Sequence, residues 1–258
     1  MKNLKLISLL SFSLVSCSHY YYAPCMQNVP LFIEKNDLRL SASTGLGDET
    51  SYLELQSAYS ITNHIGLMFN FMRAKGEEDN NVNNWGKGYY YEGAVGYYKP
   101  LKTFASFEVY GGFATSNQHH QYDISYRYAD LTFTKIFIQP TLGYTSDVFD
   151  IALSSRISRV SFNKIDYSSY NATYNTFSEL DEIANNKVSY LFEPAVTLRI
   201  GGEICKGQLQ CGFSKNLTNT KLKFEKFNIS AGLYFTIANR NKTQAIKKGR
   251  KNIKRNKQ

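Results

Sequence analysis

Between residues 37 and 237 apolar side chains recur at every second position, the period of strands rather than of helices. Leu53, Leu55, Tyr59 and Ile61 share one parity, and Glu54, Gln56, Ala58 and Ser60 hold the other. Ile65, Leu67, Phe69 and Phe71 follow in the same manner, opposed by His64, Gly66 and Asn70. The pattern returns with Phe107, Val109 and Phe113, with Phe149, Ile151, Leu153 and Ile157, along 188–200, and with Phe227, Ile229, Leu233, Phe235 and Ile237. It predicts ten strands near 37–45, 51–62, 64–73, 88–98, 103–114, 131–145, 148–162, 187–200, 204–215 and 225–237. Two prolines, Pro140 and Pro194, fall inside strands, where each removes one ladder donor unless it sits at an irregularity.

Alternation alone fits a soluble sandwich or barrel as well as a membrane barrel, because each has one apolar face. Two features favour an all-β, antiparallel, up-and-down transmembrane β-barrel. The predicted connections alternate between longer (46–50, 74–87, 115–130, 163–186, 216–224) and shorter, as in barrels with long outward loops and short periplasmic turns. The polar parity is also rich in Gly, Ala and Ser, which suit a crowded interior better than a wetted face. Its few charges are Arg39, Glu54, Glu92, Glu108, Lys135, Asp150, Arg156, Glu193, Arg199 and Lys206, five of each sign. An unpaired charge in a narrow lumen carries a desolvation penalty of several kcal/mol, so this balance predicts a paired internal network and not a charge-selective pore. Tyr59, Tyr89, Tyr91, Tyr97 and Phe104 near strand ends are candidates for interfacial girdles.

Composition sharpens this reading. Aromatics at 15% and hydrophobics at 43% exclude a disordered chain despite a mean hydropathy of -0.37. A net charge of +9 suggests a polyanion binder until it is located. Nine basic residues and no acidic one lie between Arg240 and Gln258, so the remaining 21 Lys+Arg match the 21 Asp+Glu and the body is neutral. Such a tail at 238–258, disordered or partly helical, can meet anionic lipid or other anionic envelope polymers.

At the other end, Lys2 and Lys5 precede an apolar run from Leu6 to Val15. That is a secretion signal, and about ten residues are too few to cross ~30 Å of hydrocarbon as a helix. Leu14-Val15-Ser16-Cys17 resembles the lipobox of bacterial lipoproteins, in which the Cys thiol is acylated and becomes the first mature residue. The expected division is therefore a signal peptide at 1–16, a lipidated segment at 17–36, a barrel at 37–237 and the tail. With the first strand rising, both termini are expected on the periplasmic side. Export makes nucleic acid an unlikely partner, and the four His and remaining Cys25, Cys205 and Cys211 form no metal-ligand spacing, so no metal or cofactor is expected.

Several stretches of the mature chain resemble a family of lipid-anchored outer-membrane β-barrel proteins of Gram-negative bacteria. They are Tyr22-Ala23-Pro24 with Asn28-Val29-Pro30-Leu31-Phe32, Leu40-Ser41-Ala42-Ser43 with Gly47-Asp48-Glu49-Thr50, and Ala58-Tyr59-Ser60-Ile61-Thr62-Asn63-His64-Ile65-Gly66. Phe137-Ile138-Gln139-Pro140 with Gly143-Tyr144, and Phe227-Asn228-Ile229-Ser230-Ala231-Gly232-Leu233, complete the set. The resemblance implies the barrel and its membrane and carries no chemistry. Cys25 and the basic tail depart from it.

The leading functional expectation is a non-enzymatic barrel embedded among outer-membrane lipids, with an envelope-scaffold or surface-contact role. Its outward loops carry His119, His120, Tyr122, Tyr126 and Tyr128 in one and Tyr167, Tyr170 and Tyr174 in another. A small-solute channel, and a periplasmic lipoprotein holding an apolar ligand in a soluble barrel, are the alternatives. For catalysis the sequence offers one candidate group, His119-His120 near Asp123.

Overall fold

The computed structural model describes residues 20–78, 81–101, 104–122, 127–168, 178–218 and 221–237. The signal region, Cys17, Asp123, Tyr126, Tyr170, Tyr174 and the basic tail lie outside these residues.

Alternating side chains give one antiparallel sheet that closes on itself. Its strands are β1 (Leu38–Gly47), β2 (Thr50–Ser60), β3 (Ile65–Glu78), β4 (Asn81–Pro100), β5 (Ala105–Gln121), β6 (Tyr128–Thr145), β7 (Phe149–Ser168), β8 (Val188–Gly201), β9 (Cys205–Phe213), β10 (Lys215–Asn216) and β11 (Phe227–Ile237). Neighbours in sequence are neighbours in space, and β1 pairs with β11 from Leu38↔Ile237 to Gly47↔Asn228 to close the circle. The two-residue β10 continues the line of β9 along β8 after a break at Ser214, so the wall has ten staves, as the periodicity predicts. In the β6–β7 ladder no pair falls at Gln139 and Pro140, the stretch where a donor is missing.

The two faces have opposite character. Leu53, Leu55, Phe69, Val95, Phe113, Ile138, Leu153 and Leu233 are exposed on the outside, while Glu54, Asn70, Glu92, Glu108, Gln139 and Arg156 are buried inside. A polar interior within an apolar wall is the arrangement of a membrane barrel, and the fold is an up-and-down transmembrane barrel. No helix among the described residues is long and apolar enough to cross a membrane, which says nothing of strands.

The connections correct the sequence expectation. The predicted loops 74–87 and 115–130 are mostly strand, and β7 runs on to Ser168 inside the predicted loop 163–186, because β3 to β7 are tall strands of 14 to 20 residues. His119 and His120 lie within β5, and the third connection carries a short helix, α1 (Ser178–Asn185). Apolar alternation fades in these extensions, where Lys75 faces Lys87 and Gln118 faces Leu131 across the ladder. A strand that has left the hydrocarbon layer needs no apolar face, so its sequence pattern disappears while its ladder continues.

Candidate functional site

A wall with a polar inner face must satisfy that face, and here the partner is the chain's own N-terminal segment. Residues 20–36 run through the lumen as a thread. At the end with α1 and the tall hairpins, hereafter the loop end, the Tyr21 amide donates to the Lys223 carbonyl at 3.0 Å. The Glu225 amide donates to the Tyr22 carbonyl, also at 3.0 Å, beside a bridge between Tyr22 and Phe224. At the short-turn end the Asn36 amide donates to the Ser60 carbonyl at 2.9 Å, and the chain turns into β1. The lumen was expected to hold only paired charges from the wall.

Extended backbone inside a barrel has no ladder of its own, so its polar groups need side-chain partners. The wall supplies them from Met26 to Phe32. The Met26 amide donates to Glu54 Oε1 at 2.8 Å, and its carbonyl accepts from Gln56 Nε2 at 3.0 Å. Gln210 bonds Gln27 on both sides, accepting from its amide at 2.7 Å and donating to its carbonyl at 2.9 Å. The carbonyls of Asn28, Val29 and Pro30 accept from Gln139 at 2.8 Å, Arg199 at 2.7 Å and the Tyr234 hydroxyl at 2.7 Å. The Phe32 amide donates to Glu108 Oε1 at 2.7 Å.

Glycines on the inner parity make room for the thread. A Cβ on Gly66 would come within 2.7 Å of Phe32 Cε2, and one on Gly143 would collide with the Leu31 side chain. Leu31 itself adopts φ 52, a left-handed conformation that a non-glycine residue rarely holds without tight surroundings. Asn28, Val29, Leu31 and Phe32 are each at most 3% exposed, so the stretch that resembles an envelope-barrel motif is the core of the thread.

All ten interior charges named from the parity are buried, none more than 8% exposed. They do not form one network. Around Glu92, Arg156 donates to both carboxylate oxygens at 3.1 and 3.0 Å, Lys135 stands 3.6 Å away, and Tyr90 and Asn70 each donate at 2.6 Å. Glu193 accepts from the Tyr22 hydroxyl at 2.6 Å and from Ser158 at 2.8 Å, which ties the thread to this group. Arg156 also donates to Gln139, and Asn28 donates to Asn70 at 2.7 Å, so Asn28 is held from two sides.

A second group surrounds Asp150, with Lys206 at 2.5 Å and Arg199 at 3.8 Å. The Arg199 guanidinium lies 3.6 Å from the Tyr234 ring centre, over its face. Arg39 pairs instead with Asp37 at 2.9 Å. Glu54 and Glu108 have no cationic partner within salt-bridge distance among the described residues, and each accepts from a thread amide. The charge count balanced at five against five, but the balance is local in one group only, and the thread takes up two of the acids.

Above the charges lies an apolar mouth. Tyr21, Tyr22 and Met26 pack with Tyr90, Phe133 and Phe162 from the wall, and Leu180 and Ile183 of α1 close over them. The three-residue spacing of Leu180 and Ile183 puts both on one helix face. Outside the wall, His119 Nδ1 lies 2.7 Å from Asp130 Oδ1, with the His119 ring stacked on Tyr128 and tilted against Trp85. The Asp123 expected near it from sequence lies outside the described residues. Cys205 and Cys211 share the outer parity of β9, Cys25 is buried in the thread, and all three are free thiols. No group of three or more His, Cys, Asp or Glu among the described residues could hold a metal ion.

The sequence missed the thread because residues 20–36 have no periodicity, and their partners lie on strands far along the chain. Glu54 and Glu108, acids on the inner parity with no cation nearby in their own hairpins, were the available signal.

The path also corrects the expected topology. The barrel's own ends, Leu38 and Ile237, lie together at the short-turn end, but Tyr20 lies across the lumen at the loop end. The two ends of the described chain therefore do not share one side.

No protein-family model matches the chain, and no curated protein matches it. Solved structures resemble it only in outline. The outer membrane protease OmpT from Escherichia coli is 9% identical with a TM-score of 0.46, over 78% of this chain and 97% of that one. The translocator domain of the autotransporter NalP from Neisseria meningitidis is 6% identical at 0.44, over 78% and 88%. The KdgM porin is 10% identical at 0.38, over 78% and 99%.

Proposed function

We propose that the protein is a lipid-anchored outer-membrane barrel, closed by its own N-terminal thread, that acts as a non-enzymatic envelope scaffold presenting a surface at its loop end. Residence in the outer membrane is inferred from the apolar outer wall together with an export signal that ends in a lipobox-like Cys17. The observation that carries the closed reading is the bonding of the thread: from Met26 to Phe32 its backbone is held by wall side chains. A solute would have to displace those bonds to pass. The non-enzymatic part rests on the interior acids and bases being engaged with one another and with the thread. The surface for contact is the mouth formed by α1 and the tall hairpins, together with the Trp85, His119 and Tyr128 rings on the outer face of those hairpins.

Reconstitution of the purified full chain in a planar bilayer tests the closed reading. Silence under applied voltage is expected, and steady ion currents would favour the channel alternative. Wild type recovered in the soluble fraction would sink the membrane assignment, and absence of acyl label from wild type beside Cys17→Ala would sink the anchor.

A further inference from the structure

The thread has a direction, and the direction decides where an anchor on it must lie. It enters at the loop end, where Tyr22 bridges Phe224 and where the Glu225 carboxylate accepts from the Asp48 amide of the β1–β2 turn at 2.6 Å. It leaves at the short-turn end, where Ser60 Oγ donates to the Glu34 carbonyl at 2.7 Å. Tyr20 is three residues on from Cys17, a reach of at most ~11 Å even when fully extended. The hydrocarbon layer is ~30 Å thick, so Cys17 cannot reach the leaflet at the short-turn end.

The outer wall marks the headgroup level on the same side. On β3 and β4, Phe71 pairs with Tyr91, and toward the loop end come Arg73 paired with Tyr89 and then Lys75 paired with Lys87. Arg73 lies 6.0 Å from the centre of the Tyr89 ring, over its face. Aromatic rings followed by cations are suited to the boundary between acyl chains and anionic headgroups.

We propose that the acyl group on Cys17 inserts in the leaflet at the loop end, which is the outer, cell-surface leaflet. The protein is then anchored on the face opposite to the C-terminal end of β11. This rests on Cys17 being lipidated, as in the preceding reading, and the test separates the two. A protease site flanked by Gly and Ser is inserted between His19 and Tyr20 of the full chain. An epitope is placed after Gln258, and cells are labelled with an alkyne fatty acid. Barrel formation is checked by heat-dependent gel mobility. Protease added to intact cells is expected to strip the label from the chain and leave the C-terminal epitope protected.

Resistance of the inserted site in intact cells would overturn the proposal. Cleavage in intact cells of a chain that never carried label would remove the lipid and leave the thread's exit standing. If the insertion blocks folding, His19→Cys in a chain with Cys205→Ser and Cys211→Ser gives a second readout. Its reaction with a membrane-impermeant maleimide on intact cells is expected, and reaction only after permeabilisation would refute the surface position.

Discussion

Phe32 offers a direct test of whether the thread occupies the lumen in solution. Its side chain is fully buried with Ala58, Met68, Tyr98 and Tyr110, its ring centre is 5.2 Å from that of Tyr98, and Gly66 lies directly beneath it. Phe32→Ala leaves the bonds of its backbone to Glu108 and Ser106 in place and removes only the ring. Phe→Ala in cores costs ~3–5 kcal/mol, and the upper part applies where the surroundings cannot collapse, as in a wall fixed by a closed ladder. Gly66→Ala in the native chain drives a methyl to 2.7 Å from the Phe32 ring and 2.8 Å from the Tyr110 hydroxyl, an overpacking that costs ~1–3 kcal/mol. Once the Phe32 ring is gone, the new methyl has space and the movable Tyr110 phenol as its remaining neighbour. The double variant is therefore expected to be more stable than the sum of the singles predicts, with a coupling of ~0.5–3 kcal/mol. Urea titration of the four proteins in detergent micelles, read by heat-dependent gel mobility, measures the cycle. Additivity within ~0.5 kcal/mol would mean that the two positions do not touch, and the thread would not be where it is drawn.

Three further outcomes follow from the same geometry. Arg156→Met should destabilise by ~3–5 kcal/mol because it leaves Glu92 facing Lys135 alone at 3.6 Å, and adding Glu92→Gln should recover much of that loss; a double variant no better than the single would refute the pairing. Burial raises the Glu225 carboxyl above the usual carboxylate range, an effect that its bonds from the Asp48 and Glu49 amides only partly offset. A raised acid contributes stability that is fully present below the unfolded pKa and is lost as pH rises through the folded one. Urea midpoints should thus show Glu225→Gln gaining on wild type as pH climbs through that window, and a wild type that gains instead would contradict the burial. In a chain with Cys205→Ser and Cys211→Ser, Cys25, 3% exposed, should resist maleimide in the folded barrel and react on unfolding, whereas rapid labelling of Cys25 in the native fold would place the thread outside.

What the sequence disclosed follows from where periodic information resides. A strand half in lipid and half in a polar lumen must alternate, so the ten staves and the ten inward charges from Arg39 to Lys206 were legible from parity. Above the membrane the selection for an outer apolar face ends, and the upper parts of β3 to β7 looked like loops. The thread was illegible for a different reason. A segment such as Asn28-Val29-Pro30-Leu31-Phe32 takes its bonds from Gln139, Arg199, Tyr234 and Glu108, and no local rule links a coil to side chains so distant in sequence. For the same reason the interior charges could be listed but not paired: Glu108 answers to a backbone amide, which has no residue identity to betray it.

The thread has a consequence for the order of assembly. Residues 20–36 leave the ribosome before any strand, yet they finish innermost, ringed by a ladder whose seam joins β1 to β11 at the far end of the barrel sequence. A closed ring cannot admit an extended segment studded with Tyr22, Leu31 and Phe32 by sliding, so the sheet has to curl around the segment before that seam forms. Seam closure between distant strands is a slow, non-local step. Once made, it turns escape of the N-terminus into a topological problem. The segment stays in place for as long as the ring holds, so its residence is governed by an unfolding rate and not by its own affinity for the lumen.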